Sequence, residues 1–294
     1  MPYTNSRKKK IIMIMLVILA LSLIVCFCVS LKYENSDAYQ TKTGDVDTTA
    51  IDLSYLDVTE LDQETQMIEP VNISLTDGTV EITEGGDYYL TGKMTGVVHI
   101  NAQEQNVHLF FDGIEIESKS GPALYCENAG KLVITLVEGS DNTVSDSGDY
   151  RDYVEPDSCI YSNCSMTLNG SGNLNVNGFY KDAIRSKDVV KILGGNYTIK
   201  CKRSGFRGND GIVVNDGSFA ISSEKNAFKT TNRGAQGRGC LIIGGGYIRI
   251  VAGEYSFVTQ KADLYMFNCI VNSRSVIDTF DVAGQLNVIE GCIQ

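Results

Sequence analysis

The chain has 294 residues and carries 36 acidic against 25 basic side chains, for a formal net charge of −11. So acidic a chain repels nucleic-acid phosphates, and it has no helix-turn-helix, RNA-recognition or zinc-finger signature. The composition therefore argues against a nucleic-acid partner. The charge is uneven, since the stretch from Lys181 to Arg238 contains twelve basic and five acidic residues. The sequence predicts a mainly acidic surface with one basic band.

The first predicted element is a membrane anchor. Residues 1–10 end in a basic cluster, and an apolar run of nineteen residues follows from Ile11 to Val29. Such a run is long for a signal-peptide core and sufficient to cross a bilayer. Because basic flanks stay in the cytoplasm, we predict one transmembrane helix over residues 11–30, with the rest of the chain outside the cell.

The residues at the end of the anchor and after it indicate a possible cleavage site and the start of the folded domain. Small residues at Cys28 and Ser30 leave open a cleavage after Ser30, which would release a secreted protein. Residues 31–70 are acidic and contain Thr and Ser without sustained periodicity, which predicts an extracellular linker. The remaining residues, 71–294, are predicted to form one domain.

An internal repeat runs through this domain. The apolar anchors Ile184, Phe206 and Phe228 follow one another at intervals of 22 residues, and Phe257 comes 29 residues after Phe228. The longer interval holds a Gly/Arg-rich insert, residues 233–239. A repeat of about 20–29 residues indicates a solenoid, in which each unit buries its apolar edge against its neighbours.

Short strands and glycine turns lie between the anchors. In one copy, Val189–Ile192 leads through Gly194-Gly195 into the alternating stretch Tyr197-Thr198-Ile199. This pattern, without any 3.6-residue period, excludes a helical repeat. We predict an all-β fold, a right-handed parallel β-helix (a single-stranded solenoid) with coils of 22 residues stacked about 4.8 Å apart. The repeat weakens after Cys269, so we expect residues 270–294 to cover the open end.

Two columns of basic residues accompany the anchors. The residues of the first column each precede an anchor by three positions; they are Lys181, Arg203 and Lys225. The residues of the second column each follow an anchor by one position; they are Arg185, Arg207 and Lys229. Like charges about 5 Å apart repel by roughly 1 kcal/mol even in water. The columns therefore need neighbouring carboxylates or an anionic ligand such as an acidic polysaccharide; a solvated, salt-screened face is the alternative. Tyr180, beside Lys181, is a candidate platform for a sugar ring.

Four segments of the domain resemble a known family. They are Gly86–Gly92, Leu109–Ile114, Leu168–Leu174 and Lys181–Asp188. In this order they are similar to the carbohydrate-binding domain of clostridial and other Gram-positive surface proteins, a pectate-lyase-like right-handed β-helix. The resemblance covers about residues 73–250. It implies cell-surface binding of plant polysaccharides such as cellulose and pectin, with bound calcium and without established catalysis.

The resemblance also suggests where calcium would bind. Repeats of the family usually read Asp-Gly-Ile followed by Asp four residues later. Calcium takes six to eight oxygen ligands, which stacked turns can supply. The predicted metal ligands are Asp182, Asp188, Asn209 and Asp210, helped by Asn226 and Asn232. Later copies have Ser204 and Asn226 in place of the first Asp, so the alternative is that these side chains satisfy local turn amides.

Together these observations predict non-catalytic, calcium-associated binding of a polysaccharide at the cell surface, with the membrane as a second partner and the oligomeric state open. One alternative is a calcium-dependent lyase in which Arg185 or Arg207 removes a proton from the sugar. Another is a structural or protein-binding surface solenoid. Catalysis needs a converged cluster with a perturbed basic residue, whereas repetition suits extended binding. Enzyme activity is therefore left open and is not favoured.

Overall fold

The computed structural model describes residues 54–150, 155–233 and 238–294. In this part of the chain it contains a 3-10 helix (Ser54–Leu56), one short α-helix, α1 (Glu60–Gln63), and 24 β-strands. The predicted membrane helix over residues 11–30 lies outside the described residues. No helix among those described is long and apolar enough to cross a membrane.

The strands account for most of the described residues. In chain order they are β1 (Val71–Leu75), β2 (Gly78–Ile82), β3 (Gly86–Asn101), β4 (Val107–Glu117), β5 (Leu124–Asn128), β6 (Leu132–Leu136), β7 (Asp141–Ser145), β8 (Ser158–Ser162), β9 (Met166–Gly170), β10 (Asn173–Gly178), β11 (Asp182–Ser186), β12 (Val189–Ile192), β13 (Asn196–Cys201), β14 (Ser204–Gly208), β15 (Gly211–Val214), β16 (Ser218–Ser223), β17 (Asn226–Thr230), β18 (Cys240–Ile243), β19 (Tyr247–Ala252), β20 (Tyr255–Thr259), β21 (Leu264–Met266), β22 (Ile270–Ser275), β23 (Asp278–Val282) and β24 (Leu286–Val288).

Parallel pairing joins each strand to its equivalent in the next coil. The first sheet contains β5, β8, β11, β14, β17, β20 and β23. The second contains β6, β9, β12, β15, β18, β21 and β24. The third contains β7, β10, β13, β16, β19 and β22. The long strand β3 bends through all three sheets, and β4 bends through the second and the third. The predicted all-β parallel solenoid is confirmed.

The anchors form one buried column inside the first sheet. Ile184, Phe206, Phe228 and Phe257 pair in register, as the 22-residue period predicts. The ring centroids of the three phenylalanines are 5.2 and 5.5 Å apart and the rings are nearly parallel. Stacking of one aromatic ring per coil adds to the burial of apolar area in the core.

Most of the C-terminal segment continues the coils. β22 pairs with β19 along six residues, and β23 and β24 pair with the strands before them. Phe280 extends the anchor column, with its ring centroid 5.7 Å from that of Phe257. Only the last residues lie over the edge of β22, where the Val271 amide donates to the Cys292 carbonyl at 2.7 Å. Residues 270–288 form a further coil because pairing to an exposed strand edge needs extended backbone and not a glycine turn. Val276 and Ile277 remain 70% and 57% exposed.

Contacts with the solenoid begin before residue 70, the predicted end of the linker. Leu56 packs in a small apolar cluster with Val189 and Val213 on the second sheet. Asp62, in α1, is fully buried between the ammonium groups of Lys131 (2.8 Å) and Lys191 (3.0 Å). The segment from residue 54 onward is therefore part of the folded body, which the acidic composition of the linker did not indicate.

Candidate functional site

The outer face of the first sheet carries a column that changes from aromatic to basic side chains. Each member follows its anchor by one residue, so strand alternation places it outside. In order along the solenoid the column is Tyr125, Tyr161, Arg185, Arg207 and Lys229. The Arg185 guanidinium lies 5.2 Å from the centre of the Tyr161 ring, a cation–π contact.

The basic end of this column forms one side of an open groove. The groove has a volume of about 370 Å³ and is lined by Arg185, Arg203, Arg207, Asn209, Lys229, Thr231, Arg233 and Gln260. Four of the six predicted basic residues therefore converge, together with Asn209 from the predicted metal set. Thr231, Arg233 and Gln260 were missed. Asn209, Thr231 and Gln260 each follow an anchor by three residues, so the repeat register could have aligned them.

Asp182 is the buried counter-charge beneath the groove. Its carboxylate accepts hydrogen bonds from Arg203 Nε at 2.7 Å, from the Ser204 amide at 2.9 Å and from Arg207 Nη1 at 3.3 Å. Arg203 also donates to Asp157 Oδ2 at 2.6 Å. A buried carboxylate needs such donors to offset its lost hydration. Asp182 therefore holds Arg203 and Arg207 in place.

Arg185 is neutralised by residues before β8. Its guanidinium pairs with the buried Asp157 and, at 2.8 Å, with Glu155. Burial disfavours the charged form of both Arg185 and Asp157. The carboxylates of Asp157 and Glu155 nevertheless raise the pKa of Arg185, and the guanidinium groups of Arg203 and Arg185 lower the pKa of Asp157. Arg185 is thus a paired cation with little charge left for a ligand.

Arg207 and Lys229 are neutralised less completely. Burial and the neighbouring arginines lower the pKa of Arg207 despite Asp182, and the Arg207 Nε is buried without a hydrogen-bond partner in the described structure. Burial and the adjacent Arg207 also lower the pKa of Lys229. Among the described residues, no carboxylate lies within 4.0 Å of the Lys229 ammonium group. These two cations, one coil apart, have positive charge available for an anion.

The other predicted ligand-binding residues lie around the groove and do not line it. Lys181 lies 4.5 Å above the Tyr180 ring and 3.8 Å from Asp157. Tyr180 stacks on Tyr150 at 4.2 Å between ring centroids. Lys225 pairs with Glu254 at 2.7 Å on an exposed turn. Tyr180 is therefore engaged on one face by Tyr150, and Lys225 is separated from the basic cluster.

The predicted calcium ligands do not form one cluster. Asp182 begins β11, whose five residues span about 13 Å, and Asp188 lies beyond the far end of that strand. The Asp182 carboxylate is occupied by two arginines, an arrangement that a cation would have to displace, so it does not fit calcium. Asp210 accepts from the Asn209 and Asn232 amides at 2.7 Å each, and Asp188 accepts from Ser165. The described residues contain no group of three or more His, Cys, Asp or Glu side chains placed to hold a metal.

A second, larger cleft of about 760 Å³ lies beside the N-terminal segment and the second sheet. Its lining includes Val58, Gln63 and Asn169, and Glu138 is its single titratable side chain. Its other polar lining side chains are uncharged amides and hydroxyls, so it lacks the positive charge of the basic groove. The basic groove is therefore the better candidate site.

Comparison with known proteins agrees with the fold. The family model for carbohydrate-binding domain-containing proteins matches residues 76–273. This chain belongs to that family. The resemblance seen in the sequence is thereby confirmed.

Two proteins are similar to this chain, over different lengths. A carbohydrate-binding domain-containing protein of Acetivibrio thermocellus (strain ATCC 27405) is 32% identical over 134 residues, or 44% of this chain and 47% of that protein. The chain thus spans about half the length of this relative. A solved structure described as the polysaccharide lyase-like protein from C. thermocellum, a gadolinium derivative, has a TM-score of 0.73 and 27% identity, covering 76% of this chain and 98% of that chain.

Proposed function

We propose that this protein binds an acidic polysaccharide along the groove of the first sheet. The observation that carries the proposal is the pair Arg207 and Lys229, which stand one coil apart. Arg207 shares the single carboxylate of Asp182 with Arg203, and Lys229 has no described carboxylate within 4.0 Å. Coils are about 4.8 Å apart, so successive cations can meet successive carboxylates of an extended uronate chain. Membership of the carbohydrate-binding family supports a glycan as the anion.

A second candidate function is β-elimination on the same glycan. Repetition favoured binding over catalysis, but the structure brings the basic residues into one cluster with a lysine of lowered pKa. Neutral Lys229 could take the proton from C5 of a uronate while Arg207 stabilises the carboxylate as charge develops on it. The bond from C4 to the glycosidic oxygen then breaks, a C4=C5 double bond forms, and the leaving oxygen takes a proton from water. The relative described as polysaccharide lyase-like supports this second candidate.

The proposal also includes a cellular location and a calcium site. The apolar run over residues 11–30 favours a single-pass anchor with the solenoid at the cell surface, or a secreted domain after cleavage. Calcium is proposed only at the Asp188 and Asp210 end of the first sheet, because the fully buried Asp182 carboxylate is engaged by two arginines. The Asp210 carboxylate has one arginine contact, to the partly exposed Arg238 at 3.3 Å, which calcium would displace. No step of binding at the groove depends on it.

The test is retention of the full chain, purified in detergent, on insoluble polygalacturonate and on cellulose, while absorbance from unsaturated uronate is followed. We expect retention on polygalacturonate that Lys229→Gln weakens and that Lys202→Gln does not. Lys202 is the matched control because it pairs with Glu224 on the exposed surface, away from the groove lining.

Each outcome separates the candidates. Retention without new absorbance supports a binding protein, and rising absorbance that Lys229→Gln abolishes supports the lyase. Equal loss in Lys229→Gln and Lys202→Gln would mean that the groove is not the site. Failure of the wild type to bind polygalacturonate would contradict the proposed function.

A further inference from the structure

The groove is bounded on one side by an acidic segment that belongs to the protein itself. Residues 155–157, just before β8, place Glu155 and Asp157 against the column at Arg185. The groove lining begins at Arg185 and extends toward the C-terminal coils, through Arg207 and Lys229 to Gln260. The opposite direction along the column leads to Tyr161, which is only 1% exposed.

Glu155 makes three contacts at this end of the groove. One carboxylate oxygen lies 2.8 Å from Arg185 Nη2, and the other lies 2.5 Å from Lys187 Nζ. The Tyr161 hydroxyl donates to Glu155 at 3.3 Å. The carboxylate therefore takes the place that a ligand carboxylate would take one coil before Arg207.

The charge of Glu155 persists at neutral pH. Burial works against it, but the hydrogen bonds from Lys187 and Arg185 lower the pKa of Glu155 below its usual value. A second carboxylate brought next to it would meet repulsion and would find the cation already paired. Its side chain is 40% exposed, so it faces the solvent from which a glycan arrives.

We propose that Glu155 ends the ligand groove and thereby limits how many uronate units the groove accepts. The inference rests on the proposed binding of an acidic polysaccharide. It assigns Glu155 a role in specificity: the groove takes carboxylates at Arg207 and Lys229, and the chain of a longer ligand must turn away from the protein at Arg185. The wild-type protein therefore gains no further affinity from uronate units that would extend past Arg207 towards Arg185.

The test measures calorimetric affinity of the full chain for galacturonate oligomers of increasing length. Glu155→Gln removes the charge and keeps the shape, while Asp157 continues to pair with Arg185. Glu224→Gln is the matched control, because it makes the same charge change at an exposed ion pair away from the groove. Melting temperatures of both variants check that they remain folded.

In the wild type, affinity is expected to stop rising once the oligomer covers Arg207 and Lys229. In Glu155→Gln it should keep rising for at least one further unit, with the longest oligomer bound about fivefold tighter. Glu224→Gln should follow the wild type. If the affinity of Glu155→Gln stops rising at the same oligomer length as that of the wild type, or if it exceeds the wild-type affinity by the same factor at every oligomer length, the inference is overturned and the proposed function still stands. Absence of binding in all three proteins contradicts both.

Discussion

Arg203 Nε donates to Asp182 Oδ1 at 2.7 Å, and Arg203 Nη2 lies 2.5 Å from Asp182 Oδ2. The two residues come from neighbouring coils, and their two-point contact links β11 to the turn before β14. Asp182 is fully buried, so the pair is shielded from salt and water in a way that surface pairs are not. It forms the base on which the basic groove is built.

Replacing Asp182 by Asn should destabilise the fold. The substitution leaves Arg203 and Arg207 near a neutral amide, and a buried ion pair that loses one partner costs about 3 kcal/mol. We expect a loss of that size in the free energy of unfolding, measured by urea denaturation. Asp216→Asn, at an exposed turn, is the control and should change it by less than about 0.5 kcal/mol. Equal stability of the two variants would contradict the structural role of Asp182.

Calcium, where it binds, should act through Asp210 and not through Asp182. The rise in melting temperature on adding calcium is expected to be the same in wild type and Asp182→Asn, because arginines already occupy that carboxylate. Asp210→Asn should reduce the rise, since it removes the carboxylate beside Asn209. Differential scanning fluorimetry with calcium and with chelator measures this. A calcium response lost in Asp182→Asn alone would show that the arginines yield to the ion.

The charge of Lys229 predicts opposite pH dependences for the two candidate functions. Its pKa is lowered, so it loses its proton at a lower pH than an ordinary lysine. Affinity for polygalacturonate should therefore fall as the pH rises, below the range near about 10.4 in which an ordinary lysine loses its proton, and Lys229→Arg should retain it because a guanidinium stays charged. A lyase that uses neutral Lys229 as its base would instead speed up as the pH rises and fail in Lys229→Arg.

Affinity and product formation can be followed in one pH series, with Lys202→Arg as control. A flat affinity profile in the wild type would contradict the role of Lys229 in holding the ligand. Lys202→Arg keeps its charge and lies away from the groove, so it should follow the wild type; loss of affinity in this variant would mean that the effect of a Lys→Arg change is not specific to the groove.

The buried Asp62 predicts an acid-sensitive contact of α1 with the second sheet. Burial opposes its charge, but hydrogen bonds from Lys131, Thr167, Thr59 and Lys191 lower its pKa. Because the pKa is lower in the folded state, this stabilisation is present above the unfolded value, near about 3.9, and is lost as the pH falls further. Asp62→Asn should cost about 3 kcal/mol at neutral pH and reduce the acid dependence.

The control for Asp62 is Glu60→Gln, an exposed residue of the same helix. It makes the same charge change and should alter the free energy of unfolding by less than about 0.5 kcal/mol. Urea denaturation at pH 7 and at about pH 2.5, below the unfolded value, provides the comparison. An unchanged acid dependence in Asp62→Asn would contradict the prediction.

Truncating a side chain of the phenylalanine column should destabilise the fold most in the middle of the column. Phe228 is fully buried between Phe206 and Phe257, and Phe228→Ala removes the stacking contacts with both of these rings. We expect a loss of about 4 kcal/mol in the free energy of unfolding. Phe280→Ala, in the last coil, should cost less because Phe280 is only partly buried. Equal losses would mean that the last coil is as tightly packed as the middle.

Much of the fold could be predicted because it follows from local periodicity. Alternation along each strand decides which side chains face inward, and the 22-residue interval then aligns Ile184, Phe206 and Phe228. The same interval placed Arg185, Arg207 and Lys229 in one outer column, which the structure contains. The continuation through Phe280 was missed because the glycine turn that marked earlier copies is absent there.

The sequence by itself determined the solenoid, its register and the basic column, because each depends on residues at a constant separation. Only the tertiary structure decided which cations remain available. Asp157 and Glu155 come from an excursion that no period describes, and they neutralise Arg185 while leaving Lys229 without a described carboxylate. Asp62, more than a hundred residues before Thr167 and Lys191, likewise meets them only in the folded chain. Charge pairing depends on distance in space, and a repeat encodes such distances only within its own coils.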